Sequence, residues 1–132
     1  MLVVDASCLY EFLIGSPEGH AIRRRLDADP DHAAPHVVDV EVLGAVRRNH
    51  MLGNLDRTEA TRAIEELQAW PGERFSHVLL LKRAWQLRNN VRGWDAMYVA
   101  LAEALDAVLV TSDRRLASAT GPTCRIEVIG GG

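Results

Sequence analysis

The sequence of 132 residues is poor in cysteine and contains no long hydrophobic run. Its two cysteines, Cys8 and Cys124, lie far apart and outside any CxxC motif, so neither a zinc knuckle nor a disulfide framework is indicated. No apolar stretch approaches the roughly 20 residues that a membrane helix needs. The first apolar run, 2–4, lacks a preceding basic segment, and we therefore expect a cytoplasmic chain with no signal peptide and no membrane partner.

The sequence also has little lysine and a net charge of −3. This deficit of positive charge argues at first sight against a nucleic-acid partner, because clustered cations drive phosphate binding. However, Lys82 is the only lysine among the 15 basic residues, and several arginines are adjacent, as in Arg47-Arg48 and Arg114-Arg115. Arginine makes bidentate contacts with phosphate, so an RNA partner stays open, although a solvated helix face is the simpler explanation for any single cluster.

The composition is that of a folded domain. Hydrophobic residues make up 48% of the chain and charged residues 25%, proportions typical of soluble globular proteins. The length fits one core. We therefore expect a single domain over residues 1–129, followed by a mobile glycine tail at 130–132.

Short apolar runs alternate with segments of helical period, which predicts an α/β fold. The strands are predicted over residues 2–4, 36–38, 107–111 and 126–129, and the longer helices over 17–26, 39–51, 58–70, 76–90 and 95–105. Ser7 is the predicted N-cap of a further helix that ends before Gly15, and residues 27–35 are predicted to form a loop. Strands that are apolar on both faces indicate a parallel sheet covered by helices on both sides.

Four acidic residues stand where such a fold places ligand sites. Asp5 directly follows the first strand and Asp113 follows the strand at 108–110, so both lie at the carboxyl ends of strands, where open parallel sheets bind ligands. Asp95 opens a helix that is apolar nearly all round, and Glu41 lies in the first turn of another. Each acid also has an ordinary alternative: Asp5 as a turn residue, Asp95 and Asp113 as N-caps, and Glu41 as a partner of the helix dipole.

The four carboxylates taken together indicate a metal. Placed side by side they repel one another unless a divalent cation neutralises them, and hard oxygen ligands suit Mg²⁺ or Mn²⁺. The individual alternatives do not explain why Asp95 opens a buried helix next to two acids at strand ends. A metal-dependent reaction is therefore the favoured interpretation.

Several motifs along the chain resemble those of one nuclease family. They are Leu-Val-Val-Asp5-Ala-Ser7, the stretch from Pro35 through Glu41-Val-Leu to Arg47-Arg48, the segment Trp94-Asp95-Ala-Met-Tyr98-Val-Ala-Leu-Ala-Glu103, and Leu-Val-Thr111-Ser-Asp113-Arg-Arg-Leu116. In this order they resemble a PIN domain, specifically a toxin of the VapC type. The resemblance spans essentially the whole chain, and its last two motifs are the most specific.

The resemblance implies a three-layer α/β/α ribonuclease with a central, mainly parallel sheet of four to five strands. It implies a catalytic site that holds one or two Mg²⁺ or Mn²⁺ ions through Asp5, Glu41, Asp95 and Asp113. It places two supporting hydroxyl groups nearby, those of Ser7 and Thr111. It further implies a homodimeric toxin that inhibits translation by cutting tRNA or rRNA, with a VapB-type antitoxin that covers the groove.

Two departures from the family pattern and two rival functions stay open. Trp94 stands where a tyrosine is more usual, and Asp39 adds an acid whose position favours N-capping over a place in the site. An aspartate-based phosphoryl-transfer protein is one alternative, although Asp5-Ala-Ser7 lacks the second aspartate of a DxD motif. A module that binds RNA or a protein without cutting is the other, and metal-dependent cleavage distinguishes it from a nuclease.

Overall fold

The computed structural model describes residues 1–17 and 19–130. The predicted mobile tail lies outside the described residues, except for Gly130. None of the helices in these two ranges is long and apolar enough to cross a membrane.

Five short strands form one parallel sheet in the order β3-β2-β1-β4-β5. The strands are β1 (Leu2–Val4), β2 (His32–Pro35), β3 (Glu73–Phe75), β4 (Val108–Thr111) and β5 (Ile126–Val128). All three residues of β1 are fully buried, as expected for a central strand that is covered on both faces. The sheet confirms the predicted α/β fold with a parallel core.

Within the described residues, seven α-helices connect the strands. They are α1 (Ala6–Ile14), α2 (Gly19–Ala28), α3 (Val37–Met51), α4 (Arg57–Ala69), α5 (Leu81–Gln86), α6 (Asp95–Leu105) and α7 (Arg114–Ala117). The chain first adds β2 and β3 on one side of β1, and then returns to add β4 and β5 on the other. Because parallel crossovers are right-handed, α1–α4 cover one face of the sheet and α5–α7 the opposite face. The topological switch point therefore lies between β1 and β4.

The second strand lies earlier in the chain than predicted. β2 occupies part of the predicted loop, whereas Val37 and Val38 of the predicted strand form the first turn of α3. Ala33 and Ala34 are fully buried between β1 and β3, but alanine has a low strand propensity and does not mark a strand in the sequence. The prediction of a strand at 36–38 was wrong because a short run of buried valines is compatible with a helix as well as with a strand.

Two further differences follow α4. Glu73–Phe75 form the edge strand β3, which its charged sequence does not indicate. The predicted helix over 76–90 is reduced to a 3-10 turn at Val78–Leu80 and to α5. Val78 and Trp85 of its predicted apolar face are 72% and 67% exposed, so burial does little to stabilise a longer helix there.

Candidate active site

Asp5 lies where β1 passes into α1. Its side chain caps α1, because its Oδ1 accepts a hydrogen bond from the Cys8 amide at 3.0 Å, so the predicted N-cap Ser7 was wrong. The same Oδ1 accepts a hydrogen bond from the Ser7 hydroxyl at 2.8 Å, and Oδ2 accepts one from the Thr111 hydroxyl at 2.5 Å. Asp5 is buried, with 6% of its surface exposed. Three donors therefore hold its carboxylate in one orientation.

Thr111 links the ends of two neighbouring strands. β1 and β4 pair in parallel with Val4 opposite Val110, so Asp5 and Thr111 are the next residues at the same edge of the sheet. The buried Thr111 hydroxyl donates to Asp5 and accepts a hydrogen bond from the Asp113 amide at 3.0 Å. One hydroxyl thus orients the Asp5 carboxylate and also anchors the segment that carries Asp113.

A second pair of hydroxyl groups lies beside Asp5. Ser112 Oγ donates to Ser7 Oγ at 2.7 Å, and Ser7 Oγ donates in turn to Asp5 Oδ1. The Ser112 amide also donates to Ser7 Oγ at 3.4 Å. The structure thus places both predicted supporting hydroxyl groups against Asp5, and it adds Ser112 to them.

Glu41 faces the same region from α3. Because α3 begins at Val37, Glu41 lies in its second turn and not, as predicted, in its first. The helix dipole acts mainly within the first turn, so it does not account for a glutamate at this position. The buried Tyr98 of α6 donates its hydroxyl hydrogen to Glu41 Oε1 at 2.7 Å. This hydrogen bond connects α3 with α6 across the site.

Asp95 and Asp113 occupy the starts of two helices. Asp95 is the first residue of α6, whose N-cap is Trp94, so the alternative that Asp95 is an N-cap is wrong. Asp113 does cap α7, since its Oδ1 accepts a hydrogen bond from the Arg115 amide at 2.9 Å. No described residue donates a hydrogen bond to the Asp95 carboxylate, and its pKa is set by burial and by the charges of its neighbours.

The charges of neighbouring carboxylates raise the pKa of two of the four acids, Glu41 and Asp95. Burial raises the pKa of Asp95, and the charges of Asp5 and Asp113 raise it further. Burial also raises the pKa of Glu41, against the hydrogen bond from Tyr98 and with added repulsion from Asp95 and Asp5. Burial raises the pKa of Asp5 despite its hydrogen bonds. The structure thus brings all four predicted acids into one electrostatic unit.

This concentration of negative charge is what a bound cation would compensate. Carboxylate oxygens are the ligands that hard divalent cations prefer. In the part of the chain that the structure describes, no three acidic, histidine or cysteine side chains stand in the mutual positions of a complete metal site. The donor chemistry and the mutual repulsion therefore fit a divalent cation, although the side chains do not form a ready-made cage.

Asp39 does not join this site. It lies in the first turn of α3, whose N-cap is His36, so the predicted capping role was wrong. Its carboxylate accepts two hydrogen bonds from the guanidinium of Arg74 in β3, at 2.9 and 3.2 Å. The ion pair with Arg74 accounts for an acidic residue at position 39, so no catalytic role is needed.

Sequence reasoning missed the roles of Tyr98 and Ser112. A tyrosine on a buried helix needs a partner for its hydroxyl group, and Tyr98 stands three residues after Asp95, on the same face of α6. These two facts were available in the sequence and point toward the acidic cluster. Ser112 had no signal beyond its place between Thr111 and Asp113, because its contact with Ser7 depends on the pairing of β1 with β4.

The fold and the site together define a class of protein, namely a parallel α/β domain with an acidic cluster at the switch point of its sheet. The PIN domain family matches residues 2–122 of the sequence. The chain belongs to this family.

Curated relatives and a solved structure agree with this assignment. The chain is 38% identical to ribonuclease VapC1 of Mycobacterium tuberculosis over 128 residues, which cover 96% of each protein. It is 36% identical to ribonuclease VapC12 of the same organism over 129 residues, 98% of this chain and 99% of the relative. Its fold resembles VapBC2 from Rickettsia felis bound to a DNA fragment from their promoter, with a TM-score of 0.69, 13% identity, and coverage of 96% of this chain and 97% of that one. These comparisons confirm the resemblance found in the motifs.

Proposed function

We propose that this protein is a divalent-metal-dependent endoribonuclease and the toxin of a toxin–antitoxin pair. The observation that carries the proposal is the gathering of four carboxylates at the switch point of the sheet. VapC1 and VapC12 of M. tuberculosis bear the name ribonuclease, and PIN-domain nucleases of this type generally depend on a divalent metal. Metal-assisted hydrolysis of a phosphodiester needs such a set of oxygen ligands in an accessible site.

The metal ligands in this proposal are Asp5, Glu41, Asp95 and Asp113, and the cation is one or two ions of Mg²⁺ or Mn²⁺, because every donor is a carboxylate oxygen. When bound, the cation supplies a water of lowered pKa and a positive charge that faces the phosphate. In this assignment, the bound cation neutralises the repulsion between the carboxylates, and that gain favours metal binding.

The chain's own residues position the reactants. Glu41 accepts the proton of the attacking water, a role that suits a carboxylate whose pKa is raised by burial. Tyr98 engages Oε1 of Glu41, so Oε2 is the oxygen left to act in the site. Thr111 and Ser7 hold Asp5 as supporting groups. We assign the Ser7 hydroxyl to the orientation of Asp5 and not to nucleophilic attack, because no histidine among the described residues hydrogen-bonds to it as an activating base.

The proposed substrate and partners follow the family. The substrate is RNA, cut in the cytoplasm within tRNA or rRNA so that translation stops. The partner in this proposal is a VapB-type antitoxin, in keeping with the VapC relatives and with the likeness to VapBC2 of R. felis. Apolar side chains in solvent, among them Val40, Leu79 and Trp94, offer surface for a second protein chain, which also supports a homodimer.

A cleavage assay tests the proposed reaction. End-labelled total tRNA and rRNA are incubated with the wild-type protein in Mg²⁺, in Mn²⁺ and in EDTA, and the products are separated on a denaturing gel. We expect discrete fragments with either metal and none with EDTA. Asp95→Asn is expected to lower cleavage by roughly two orders of magnitude or more, because it removes a metal ligand that makes no hydrogen bond in the fold.

The variants are chosen to separate chemistry from folding. Glu65→Gln removes an acid from the exposed surface of α4 and serves as the matched control, with unchanged cleavage expected. Asp5→Asn is also expected to be inactive, but it disturbs three hydrogen bonds and is the less clean test. Circular dichroism monitors the fold of each variant. An active Asp95→Asn protein, or fragments formed equally well in EDTA, would contradict the proposal, and RNA binding without fragments would favour a binding module.

A further inference from the structure

A small polar pocket adjoins one side of the acidic cluster. It has a volume of about 230 Å³, and Asp95 and Asp113 form part of its wall. The rest of its polar lining comes from the loop before α6 and from α7, namely Arg88, Asn89, Asn90, Arg92 and Arg115. We call it the arginine pocket. A chain with a net charge of −3 thus places three arginines beside two of its proposed metal ligands.

Three arginines outside the pocket are paired with acids inside the fold. Arg25 makes two hydrogen bonds to Glu127, at 2.7 and 3.2 Å, and Arg83 makes two to Glu103, at 2.6 and 3.1 Å. Arg74 is paired with Asp39 in the same way. These guanidinium groups make bidentate contacts with carboxylates of the protein itself. They are structural ion pairs and are not available to a ligand.

The arginines of the pocket are different. Arg115 Nε lies 3.7 Å from Asp113 Oδ1, and its side chain is 77% exposed, so this is a loose surface pair of little energetic value. Neither Arg92 nor Arg115 donates a side-chain hydrogen bond to any residue that the structure describes. Burial and the neighbouring carboxylates raise the pKa of Asp95, and the charges of these two arginines oppose that rise. Both cations therefore stand near the acids with their donors unused.

Arg88 is held in place while keeping an open face. Its guanidinium lies over the ring of Trp85, 4.4 Å from the centroid, and donates to the Trp85 carbonyl at 2.9 Å. Guanidinium planes of this kind are surfaces on which unpaired RNA bases stack. The amides of Asn89 and Asn90 offer both donors and acceptors, which base edges require.

We propose that the arginine pocket binds one nucleotide of single-stranded RNA next to the scissile phosphate, with Arg92 and Arg115 contacting its phosphate. This inference rests on the proposed function, since it takes the acidic cluster as the place of cleavage. The volume is below the roughly 300–1,000 Å³ of common ligand pockets, so the pocket suits an occupant no larger than about one nucleotide. The pocket is therefore a substrate-positioning site, and its arginines are positioning residues.

Binding of RNA without cleavage tests the pocket directly. The probe is a fluorescein-labelled single-stranded RNA of twelve nucleotides and mixed sequence, and its anisotropy is titrated in EDTA at several KCl concentrations. We expect Arg92→Ala and Arg115→Ala each to raise Kd about fivefold to tenfold at low salt, and each to lower the slope of log Kd against log salt by about 0.7, the value of one lost phosphate contact on a single strand. Lysine at either position is expected to keep the slope and to restore only part of the affinity.

The control is Arg62→Ala, which removes the same charge from an exposed position on α4 outside the pocket. It is expected to change neither Kd nor the salt slope beyond the error of measurement. In the cleavage assay, the pocket variants are expected to raise KM while kcat changes less than about twofold, since they remove binding that is equal in the ground and transition states.

The outcomes separate this inference from the proposed function. Cleavage by the wild type together with unchanged Kd in the Arg92 and Arg115 variants overturns the pocket and leaves the nuclease intact. Weakened RNA binding in these variants, with no cleavage by the wild type in any metal, supports the pocket and overturns the nuclease. If poly-glutamate displaces the labelled RNA as well as unlabelled RNA does, the pocket binds acidic peptides as readily as RNA, and the inference is overturned.

Discussion

Two buried hydroxyl groups control the orientation of the acids. Thr111 donates to Asp5 and Tyr98 donates to Glu41, and these two donors are 0% and 1% exposed. A hydrogen bond to a carboxylate is stronger than one between neutral groups, and a site shielded from water strengthens it further. Two of the four acids are therefore pre-organised by residues that are themselves buried and packed in the fold.

Removal of the Tyr98 hydroxyl tests this orientation. We expect Tyr98→Phe to lower kcat for RNA cleavage about 10- to 100-fold with little change in KM, because a hydrogen bond to a charged group contributes about 1.5–3 kcal/mol. Steady-state kinetics on a labelled oligoribonucleotide measure the effect. The burial and neighbouring carboxylates that raise the pKa of Tyr98 also keep its hydroxyl protonated as a donor.

A double-mutant cycle decides whether Tyr98 acts through Glu41. Glu41→Gln is expected to lose most of its activity, and the addition of Tyr98→Phe in that background is expected to change kcat little further. Full additivity of the two substitutions would mean that Tyr98 acts through packing and not through Glu41. Thermal melts of all four proteins separate this effect from loss of stability.

At the scale of elements, α3 brings Glu41 to the site and a single arginine fixes its start. Arg74 donates to both carboxylate oxygens of Asp39 and to three backbone carbonyls at and beyond the end of α4. Its guanidinium also lies 4.8 Å from the centre of the Trp70 ring. One side chain thus joins α3, α4 and β3. This junction lies beside the first turn of the helix that carries Glu41.

Substitutions in the junction are expected to change stability more than chemistry. Arg74→Ala should lower the free energy of unfolding by about 2–3 kcal/mol, because it leaves several partners without a donor. Asp39→Asn should cost about 1 kcal/mol or less, since the amide oxygen still accepts, and should retain cleavage within about twofold. Urea unfolding and the cleavage assay measure the two effects. An Asp39→Asn protein of normal stability that no longer cuts RNA would place Asp39 in the site.

At the scale of the whole molecule, the fold concentrates like charges at one edge of its sheet. Asp5, Glu41 and Asp95 have raised pKa values in the folded protein, above their ordinary values of 3.8, 4.5 and 3.8. The unfolded chain therefore loses these protons at lower pH than the folded chain does. The stability that they contribute is fully present below the ordinary values and is lost as pH rises through the raised ones.

This linkage predicts a charge-dependent change in the melting temperature. In EDTA at pH 7, Asp95→Asn is expected to melt several degrees above the wild type, because it removes repulsion within the cluster, and the difference should shrink as pH falls toward 4. The wild type alone would not show this effect, because the pKa values of Glu103 and Glu127 are lowered by hydrogen bonds from arginines. Those two groups make the folded protein more stable as pH rises, so the cluster is measured as the difference between the variant and the wild type. Differential scanning calorimetry at both pH values provides the measurement.

Metal binding should make the wild type melt above Asp95→Asn, the reverse of their order in EDTA. Addition of Mn²⁺ at one hundred times its Kd stabilises a folded protein by about 2.7 kcal/mol, so we expect the wild type to gain stability and Asp95→Asn to gain much less. The readout does not depend on activity. If millimolar Mn²⁺ leaves the wild-type melting temperature unchanged, the carboxylates do not form a metal site.

Much of the fold follows from local chemistry that a sequence displays. β1, β4 and α6 were predicted at or within one residue of their bounds, because uninterrupted apolar runs and an all-round apolar helix have few other solutions. Asp5, Asp95 and Asp113 were singled out because they stand at or just after a strand end or at the start of a helix, whereas Glu41 depended more on the family resemblance. β2 and β3 were not found, since buried alanines and a charged edge strand carry no such pattern.

The sequence by itself determined the fold class and the family, and it indicated four carboxylates as the candidate site, since apolar periodicity and the order of motifs are properties of the chain alone. The tertiary structure decided everything that depends on contacts between distant residues. It separated Asp39 from Glu41 by pairing Asp39 with Arg74, and it placed Tyr98 on Glu41 and Thr111 on Asp5. These contacts join residues 35, 57 and 106 positions apart, and only the packing of helices on the sheet brings such residues together.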